Sequence, residues 1–162
     1  MKAILTLILA SVSMAASSQL KGFSIGPYVE RAIPTGNFEN LYNNGWGAGA
    51  GADIKLPGKL GLTGSVGIVR FGGKAIQHAQ GQQKLSALTG IPIRVGLKYR
   101  LPLVYIKMET GSARLNDEKG NGFILSPGIG LRILGLDVQA KYETWIRNES
   151  YSFYGLKASY NF

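Results

Sequence analysis

Few residues of this 162-residue chain are of the types that usually carry out a reaction, since it has one histidine and no cysteine. A hydrolase would pair His78 with Ser86 or Ser112 and a carboxylate, because nucleophile and base must lie within hydrogen-bond reach. His78 instead lies among glycine, glutamine and lysine residues, a composition typical of an exposed polar loop. We therefore predict a solvated histidine, no catalytic residue, no metal site and no cofactor.

Two other patterns have the composition of a ligand site but not its context. Glycine occupies every second position from Gly45 to Gly51, but a dinucleotide-binding loop needs a helix directly after it, and no helix-period segment follows. Glycine at every second position gives a strand one face without side chains, which suits the narrow interior of an eight-stranded barrel better than it suits a nucleotide site. Asp117 and Glu118 could contact calcium, yet their spacing matches no dedicated calcium loop, so we expect a solvated turn there.

The charged side chains are the most informative set, because they recur at every second position. Arg94, for example, lies between Ile93 and Val95. Successive side chains of a strand point to opposite faces, so each segment has one apolar face and one face of charge, glycine and serine. The charged residues that this pattern assigns to the inner face are Glu30, Asp53, Lys55, Arg94, Lys98, Lys107, Glu109, Arg132, Asp137, Lys141, Glu143 and Lys157. We predict an ion-paired network that fills the lumen, with a gated narrow pore as the alternative.

Eight strand-like segments must position these charges. The segments cover residues 22–32, 44–56, 60–71, 84–100, 102–112, 122–133, 136–147 and 151–162. Short connections at 57–59, 100–102 and 134–135 alternate with longer ones at 33–43, 72–83 and 113–121, and with a tighter one at 148–150. Short turns at one end and longer loops at the other are typical of outer-membrane barrels. The predicted fold is all-β, an eight-stranded antiparallel transmembrane β-barrel.

Aromatic residues near the strand ends favour a membrane barrel over a soluble barrel that packs its apolar face inward. Two girdles of interfacial aromatics flank the apolar band of a membrane barrel. We assign Phe23, Tyr99, Tyr160 and Phe162 to the girdle on the short-turn side, and Trp46 and Phe123 to the girdle on the loop side.

Prolines are the one feature that conflicts with the predicted strands. Pro27, Pro92 and Pro127 fall inside strand segments, where each removes a ladder hydrogen bond. A closed barrel has no edge strand on which to place them, so we expect bulges or strand ends at these positions.

The first 18 residues are expected to be a signal peptide rather than part of the barrel. Met1-Lys2 is a positively charged start, residues 3–9 are apolar except for Thr6, and small residues follow up to Ser18. We predict cleavage before Gln19, with cleavage after Ala15 or Ala16 as alternatives, which leaves a barrel domain over residues 19–162. The apolar run is too short for the roughly 20 residues that a membrane-spanning helix needs.

The net charge of +9 raises the question of a nucleic-acid partner. The lysines and arginines are spread singly over alternating segments instead of clustering on a helix or beside stacking aromatics. We therefore expect no nucleic acid and assign the charge to the lumen and to anionic lipid head groups.

Three short motifs resemble those of the small Gram-negative outer-membrane β-barrel family, which includes the OmpX/OmpA-type and porin-family barrels. They are Ile33-Pro34-Thr35-Gly36-Asn37-Phe38, Gly45-Trp46-Gly47 and the terminal strand Tyr151–Phe162. The resemblance implies a location in the outer membrane, contact with its lipid, and insertion by the barrel-assembly machinery. That machinery would recognise the C-terminal signal formed by Tyr160 and Phe162. The resemblance implies no particular substrate and names no protein partner.

These sequence features together favour a non-enzymatic function, that of a structural or surface-interaction protein of the outer membrane. The alternatives are a narrow pore for small solutes or ions, a lipid-modifying outer-membrane hydrolase, and an accessory subunit of an envelope secretion or uptake complex.

Overall fold

The computed structural model describes residues 22–78, 81–116 and 120–162. The predicted signal peptide 1–18, its cleavage site before Gln19, and the acidic pair Asp117 and Glu118 lie outside the described residues. Within the described ranges, no helix is long and apolar enough to cross a membrane.

Eight long strands close into a single antiparallel barrel, as the alternating segments predict. They are β1 (Phe23–Thr35), β2 (Tyr42–Lys55), β3 (Leu60–Gly73), β6 (Leu88–Arg100), β7 (Val104–Leu115), β8 (Asn121–Ile133), β9 (Leu136–Ile146) and β10 (Tyr151–Tyr160); the two short strands β4 (Ala75–His78) and β5 (Gly81–Lys84) lie outside the barrel. The order of the strands around the barrel is β1-β10-β9-β8-β7-β6-β3-β2. The barrel closes where β1 pairs with β10, in the register Tyr28 opposite Ser159.

The prolines do not interrupt the barrel, so the expectation of bulges or strand ends there is wrong. On the β3–β6 ladder, Val66 pairs with Ile93 and Val69 pairs with Gly90, which is the same register on both sides of Pro92. The β8–β9 ladder likewise keeps its register across Pro127, and Pro27 pairs in sequence with Ala50. The missing N–H removes a local bond, but neighbouring pairs hold the strand in place.

The long connections contain more structure than the sequence predicts. The segment predicted as an irregular polar loop forms a separate hairpin of β4 (Ala75–His78) and β5 (Gly81–Lys84). The barrel strand after it therefore begins at Leu88 and not at residue 84. A five-residue helix α1 (Asn37–Leu41) lies between β1 and β2. A single turn is too short to show a helical period in the sequence.

The two faces of the barrel differ sharply in chemistry. Outward positions along the strands are apolar and exposed, as in Ile93, Val95 and Leu97 on β6. The positions between them face inward and are buried, including Arg94 and Lys98. A soluble barrel would place its apolar side chains inside, so this fold presents an apolar outer surface that water would not stabilise.

Candidate functional site

The lumen is the place where most of the sequence-predicted site residues meet. Ten charged side chains are buried on the inner face, five of them acidic and five basic. They are Glu30, Asp53, Glu109, Asp137 and Glu143, with Arg94, Lys98, Lys107, Lys141 and Lys157. A balanced set is what burial demands, because an unpaired buried charge is strongly destabilising. Lys55, also assigned to the inner face, is exposed at the end of β2.

At the centre of the lumen, four residues on three strands form one ion-paired group, the central cluster of Glu30, Arg94, Lys141 and Glu143. Arg94 binds Glu143 through two parallel hydrogen bonds, from Nε to Oε2 at 2.9 Å and from Nη2 to Oε1 at 2.8 Å. Its Nη2 also donates to Oε1 of Glu30 at 3.1 Å. Lys141 Nζ lies 2.8 Å from Glu30 Oε2 and 2.7 Å from Glu143 Oε2. The planar guanidinium makes this two-point contact possible, which a lysine at position 94 could not reproduce.

Nearer the short turns, a second group surrounds Lys98 and forms the turn-side cluster of Asp53, Lys98, Tyr105 and Asp137. Lys98 Nζ donates to Asp53 Oδ2 at 2.9 Å and to Asp137 Oδ2 at 2.8 Å. The Tyr105 hydroxyl donates to Asp137, and the Tyr105 ring lies 3.7 Å below the Lys98 ammonium. Arg132 lies at the edge of the cluster, 3.6 Å from Asp53 and partly exposed.

The remaining lumen charges are held less tightly. Lys107 Nζ lies 3.2 Å from Glu109 Oε1 and donates weakly to the Thr63 hydroxyl at 3.4 Å. Lys157 lies over the ring of Tyr28, 3.8 Å from its centroid. Both lysines border a polar cavity of about 20 Å³, which is room for roughly one water molecule.

The inward glycines make space for large lumen side chains on other strands. A Cβ on Gly49 would lie 2.6 Å from the ring of Tyr28, and one on Gly67 would collide with the hydroxyl of the same tyrosine. Gly130 lies in the same way against the ring of Tyr105. The period of two in the sequence indicates that these positions are bare. It does not indicate that Tyr28 and Tyr105 fill the space, because those partners come from distant strands.

At the loop end, the lumen is filled by apolar rings instead of charges. These rings form the aromatic cluster of Phe38, Phe71, Trp145 and Phe153, all of which are fully buried. Phe71 lies 4.8 Å from Phe38, 6.0 Å from Trp145 and 5.4 Å from Phe153, each in an edge-to-face arrangement. Helix α1 inserts Phe38 into the barrel mouth. This cluster is not among the residues predicted from the sequence, although the inward register of Trp145 on β9 is a signal that could have revealed it.

The outer surface carries the residues assigned to the interfacial girdles and to the C-terminal signal. Trp46, Tyr99, Phe123, Tyr160 and Phe162 are each exposed over about half of their surface, and Phe23 is half-buried. The rings of Tyr160 and Phe162 lie 5.1 Å apart. The Phe162 amide donates to Ile25 O at 3.0 Å, so the terminal residue extends the β1–β10 ladder.

The residues considered for hydrolysis lie on different parts of the molecule. His78 is on β4 of the hairpin, Ser86 is in the connection after β5, and Ser112 is on the outward face of β7. In the described ranges, no group of three or more histidine, aspartate or glutamate residues has an arrangement that could hold a metal ion.

The fold is similar to that of known small outer-membrane barrels. The crystal structure of Ail, the attachment invasion locus protein of Yersinia pestis, has a TM-score of 0.53 at 15% identity, covering 87% of this chain and 97% of that chain. The structure of Yersinia pestis Ail in a phospholipid bilayer nanodisc has a TM-score of 0.53 at 16% identity, covering 88% and 100%. A de novo designed transmembrane β-barrel has a TM-score of 0.54 at 16% identity, covering 89% and 98%. No protein-family model and no curated protein sequence matches the chain. The chain therefore has the fold of the small outer-membrane barrels, as the resemblance in its sequence implies.

Proposed function

We propose that the protein is an integral outer-membrane barrel with a closed lumen, and that it serves a structural or surface-interaction role rather than an enzymatic one. The observation that carries the proposal is the combination of an apolar outer surface with an interior filled from end to end by side chains. The first requires lipid around the barrel, and the second leaves the loops as the part available to a partner.

The apolar outer surface supports a location in a membrane. Large apolar side chains are exposed on every barrel strand, for instance Val66, Ile93, Ile129 and Leu156, each at half or more of its surface. Exposed apolar area of this extent is rare on soluble monomers and marks contact with a membrane or a partner. A closed barrel also pairs every strand with two neighbours, so no strand edge is exposed to lipid.

The filled lumen supports a closed barrel over a conducting pore. An ion passing through would have to separate the paired charges of the central cluster, which are fully buried and tightly bonded to one another. It would then have to cross the fully buried aromatic cluster, an apolar constriction that opposes ion passage. The narrow pore stays the second candidate, because the lumen holds a small polar cavity bordered by Asp53, Lys98 and Asp137 of the turn-side cluster and by Lys107 and Lys157.

The charge outside the lumen supports an anionic partner or an anionic membrane surface. The chain has 18 basic and 9 acidic residues. The five acidic and five basic side chains buried in the lumen cancel, so they contribute nothing to the net charge of +9. Among the described residues, the exposed acidic side chains are Glu39 and Glu149, and they are outnumbered by exposed basic ones that can attract negative groups, such as Arg31, Lys55, Lys59, Arg70, Lys84 and Arg114.

The proposed route to the membrane has two parts. A signal peptide over residues 1–18 directs export and is removed before Gln19. The barrel-assembly machinery then recognises the C-terminal signal of Tyr160 and Phe162.

Fractionation, intact mass and conductance test the proposal together. We expect the protein in the outer-membrane fraction, with a mass that begins at Gln19, and no single-channel openings after insertion into planar bilayers. Recovery from the soluble periplasm would refute the membrane location. Reproducible open-channel currents would refute the closed lumen and favour the narrow pore.

The assembly signal has its own test. Deleting Phe162 should lower the yield of folded barrel, measured as heat-modifiable mobility on a gel, whereas changing the outward Ser152 of the same strand to alanine should not. Equal folded yield for both variants would show that Phe162 is no part of an assembly signal.

A further inference from the structure

We propose that the outer face of β1, β2 and β3 binds one phosphorylated lipid of the leaflet on the loop side. Arg31 and Arg70 would hold the phosphate on either side of Trp46, and an acyl chain would lie in the groove beneath. The inference rests on the proposed outer-membrane location, where the lipid of this leaflet is lipid A.

Three outward side chains form a continuous row across neighbouring strands. Arg31 of β1 pairs with Trp46 of β2, and Trp46 pairs with Arg70 of β3. All three are exposed on the outer surface. The guanidinium of Arg31 lies over the Trp46 ring, 5.4 Å from its centroid. This contact holds one cation at a defined position beside the indole.

The row lies at the height of lipid head groups. Leu60 begins the outward apolar series of β3 and Arg70 ends it, ten residues later. Ten residues of strand extend about 33 Å, which at a tilt of about 40° is about 25 Å along the barrel axis. The apolar band of an outer-membrane barrel is also about 25 Å tall. Arg70 and its two neighbours therefore lie where the hydrocarbon ends and the phosphates begin.

The chemistry of the row suits a phosphate. Arginine presents a planar fork of donors that binds phosphate oxygens in pairs. Within the described ranges, the acidic side chains outside the lumen are Glu39 and Glu149, and neither lies on β1, β2 or β3. In the part of the chain that the structure describes, the side chain of Arg70 makes no hydrogen bond or ion pair. The two arginines thus face the same interfacial site with no acidic side chain on the outer face of β1, β2 or β3.

A groove for an acyl chain lies between this row and the short turns, on the outer face of β1, β2, β3 and β6. Beneath Trp46, the outward positions of β2 are alanines, with Val29 and Ile68 on either side of Ala48. One row lower, Pro27 and Val66 flank Ala50. The small side chains form the floor and the larger ones form the walls. The lower part of the groove is lined by Ile25, Ala50, Ala52, Val66, Ile93 and Val95. A straight hydrocarbon chain attached to a phosphate at the row matches both the position and the polarity of this groove.

Binding of bisphosphorylated lipid A to the folded protein in detergent micelles tests the proposal, with the bound fraction measured by native mass spectrometry. The site variant is Arg31→Gln with Arg70→Gln. Its matched control is Lys84→Gln with Arg114→Gln, which removes the same charge from exposed positions at the same end of the barrel. We expect the site variant to bind at least tenfold more weakly, and the control to stay within twofold of the wild type.

Two further measurements separate the phosphate from the acyl chain. Lipid A without phosphates should bind the wild type and the site variant equally, because only the phosphate contacts the arginines. Ala50→Phe fills the groove and should weaken binding of bisphosphorylated lipid A several-fold with both arginines present. Unchanged binding in Ala50→Phe would overturn the groove assignment.

The outcome is independent of the test of the proposed function. All variants are first checked for heat-modifiable mobility, so that a misfolded protein is recognised. Equal affinity of the site variant and its control in folded protein overturns the lipid site while the outer-membrane location stands. Recovery of the protein outside the outer membrane overturns the location by itself, whatever the affinity in micelles.

Discussion

The two halves of the lumen are filled by opposite kinds of interaction. At the loop end, the aromatic cluster packs rings against rings, with Phe71 and Phe153 at its centre. From the middle toward the short turns, the central and turn-side clusters join charges through specific hydrogen bonds. A ring accepts any apolar neighbour of suitable shape, whereas a buried charge needs its own partner. The loop-end half should therefore tolerate conservative substitution, and the charged half should not.

Trp145 is the residue at which the two halves meet. Its ring lies 5.3 Å from Phe153 within the aromatic cluster. Its Nε1 donates to Glu143 Oε1 of the central cluster at 2.6 Å. The indole ring thus takes part in the aromatic packing, and the indole N–H takes part in the hydrogen bonds of the charged half. Substitutions at and around Trp145 can therefore separate the contribution of ring packing to stability from that of hydrogen bonding.

The largest effect is expected from Glu143→Gln in the charged half. The amide keeps the size of the side chain but removes the charge that Arg94 and Lys141 share. Removing one partner of a buried ion pair costs about 3–5 kcal/mol. Urea unfolding in phospholipid vesicles, followed by heat-modifiable mobility, measures the change. Glu149→Gln, on the exposed connection before β10, is the control and should leave the free energy of unfolding unchanged.

An intermediate effect is expected from Trp145→Phe. Phenylalanine keeps most of the ring packing and removes the donor to Glu143. A hydrogen bond to a charged group contributes about 1.5–3 kcal/mol, so the same unfolding measurement should show a loss in that range. If the loss vanished when Trp145→Phe was combined with Glu143→Leu, which removes the acceptor, the bond would be its cause. Additive losses would instead assign the effect to ring packing alone.

A small effect is expected from Phe153→Leu in the aromatic half. Phe153 is fully buried, packs on the rings of Phe71 and Trp145 and has no polar atom in its side chain, so leucine leaves no unsatisfied group behind. Swaps between hydrophobic residues of similar volume usually cost less than about 1.5 kcal/mol. In urea unfolding from phospholipid vesicles, Phe153→Leu should therefore lose much less free energy of unfolding than Glu143→Gln. A larger loss for Phe153→Leu than for Glu143→Gln would contradict the proposed difference between the two halves of the lumen.

The smallest effect is expected from salt. Arg94, Glu30 and Glu143 are fully buried, and salt screens such pairs far less than exposed ones. Raising sodium chloride from low to high concentration should change the free energy of unfolding by less than the roughly 0.2–1 kcal/mol of a single exposed pair. A steep loss of stability with salt would mean that water and ions reach the central cluster, and would favour the pore.

Alternation along the strands, the lengths of the connections and the aromatics near the strand ends were together sufficient to predict the barrel. The period of two assigns each residue to one of two faces, and a slip of one position would place Arg94 or Glu143 in lipid. The strand count, the antiparallel order and the apolar outer surface are therefore confirmed by the structure. The sequence did not indicate how the strands pass the prolines, because neighbouring pairs compensate for the missing bond at Pro92 and Pro127.

The contents of the lumen are only partly visible in the sequence. The period of two shows which residues of a strand face inward, so the charged residues of the lumen could be predicted as a group. The period does not show which of these residues form ion pairs, because Glu30, Arg94 and Glu143 come from strands far apart in the chain. The same holds for the aromatic cluster, since Phe38 enters it from helix α1, one turn of helix inside a loop.

The sequence by itself thus determined the class of fold and the face of each strand residue, because both depend on a repeat of two positions along one strand. The tertiary structure decided the rest. Closure of β1 on β10 sets how far each strand is shifted relative to its neighbours, and that shift brings distant side chains to the same height in the lumen. The ion pairs at the centre and the ring packing at the loop end depend on which side chains share the same height along the barrel axis. A local sequence pattern does not specify that height, because it depends on the shift between strands.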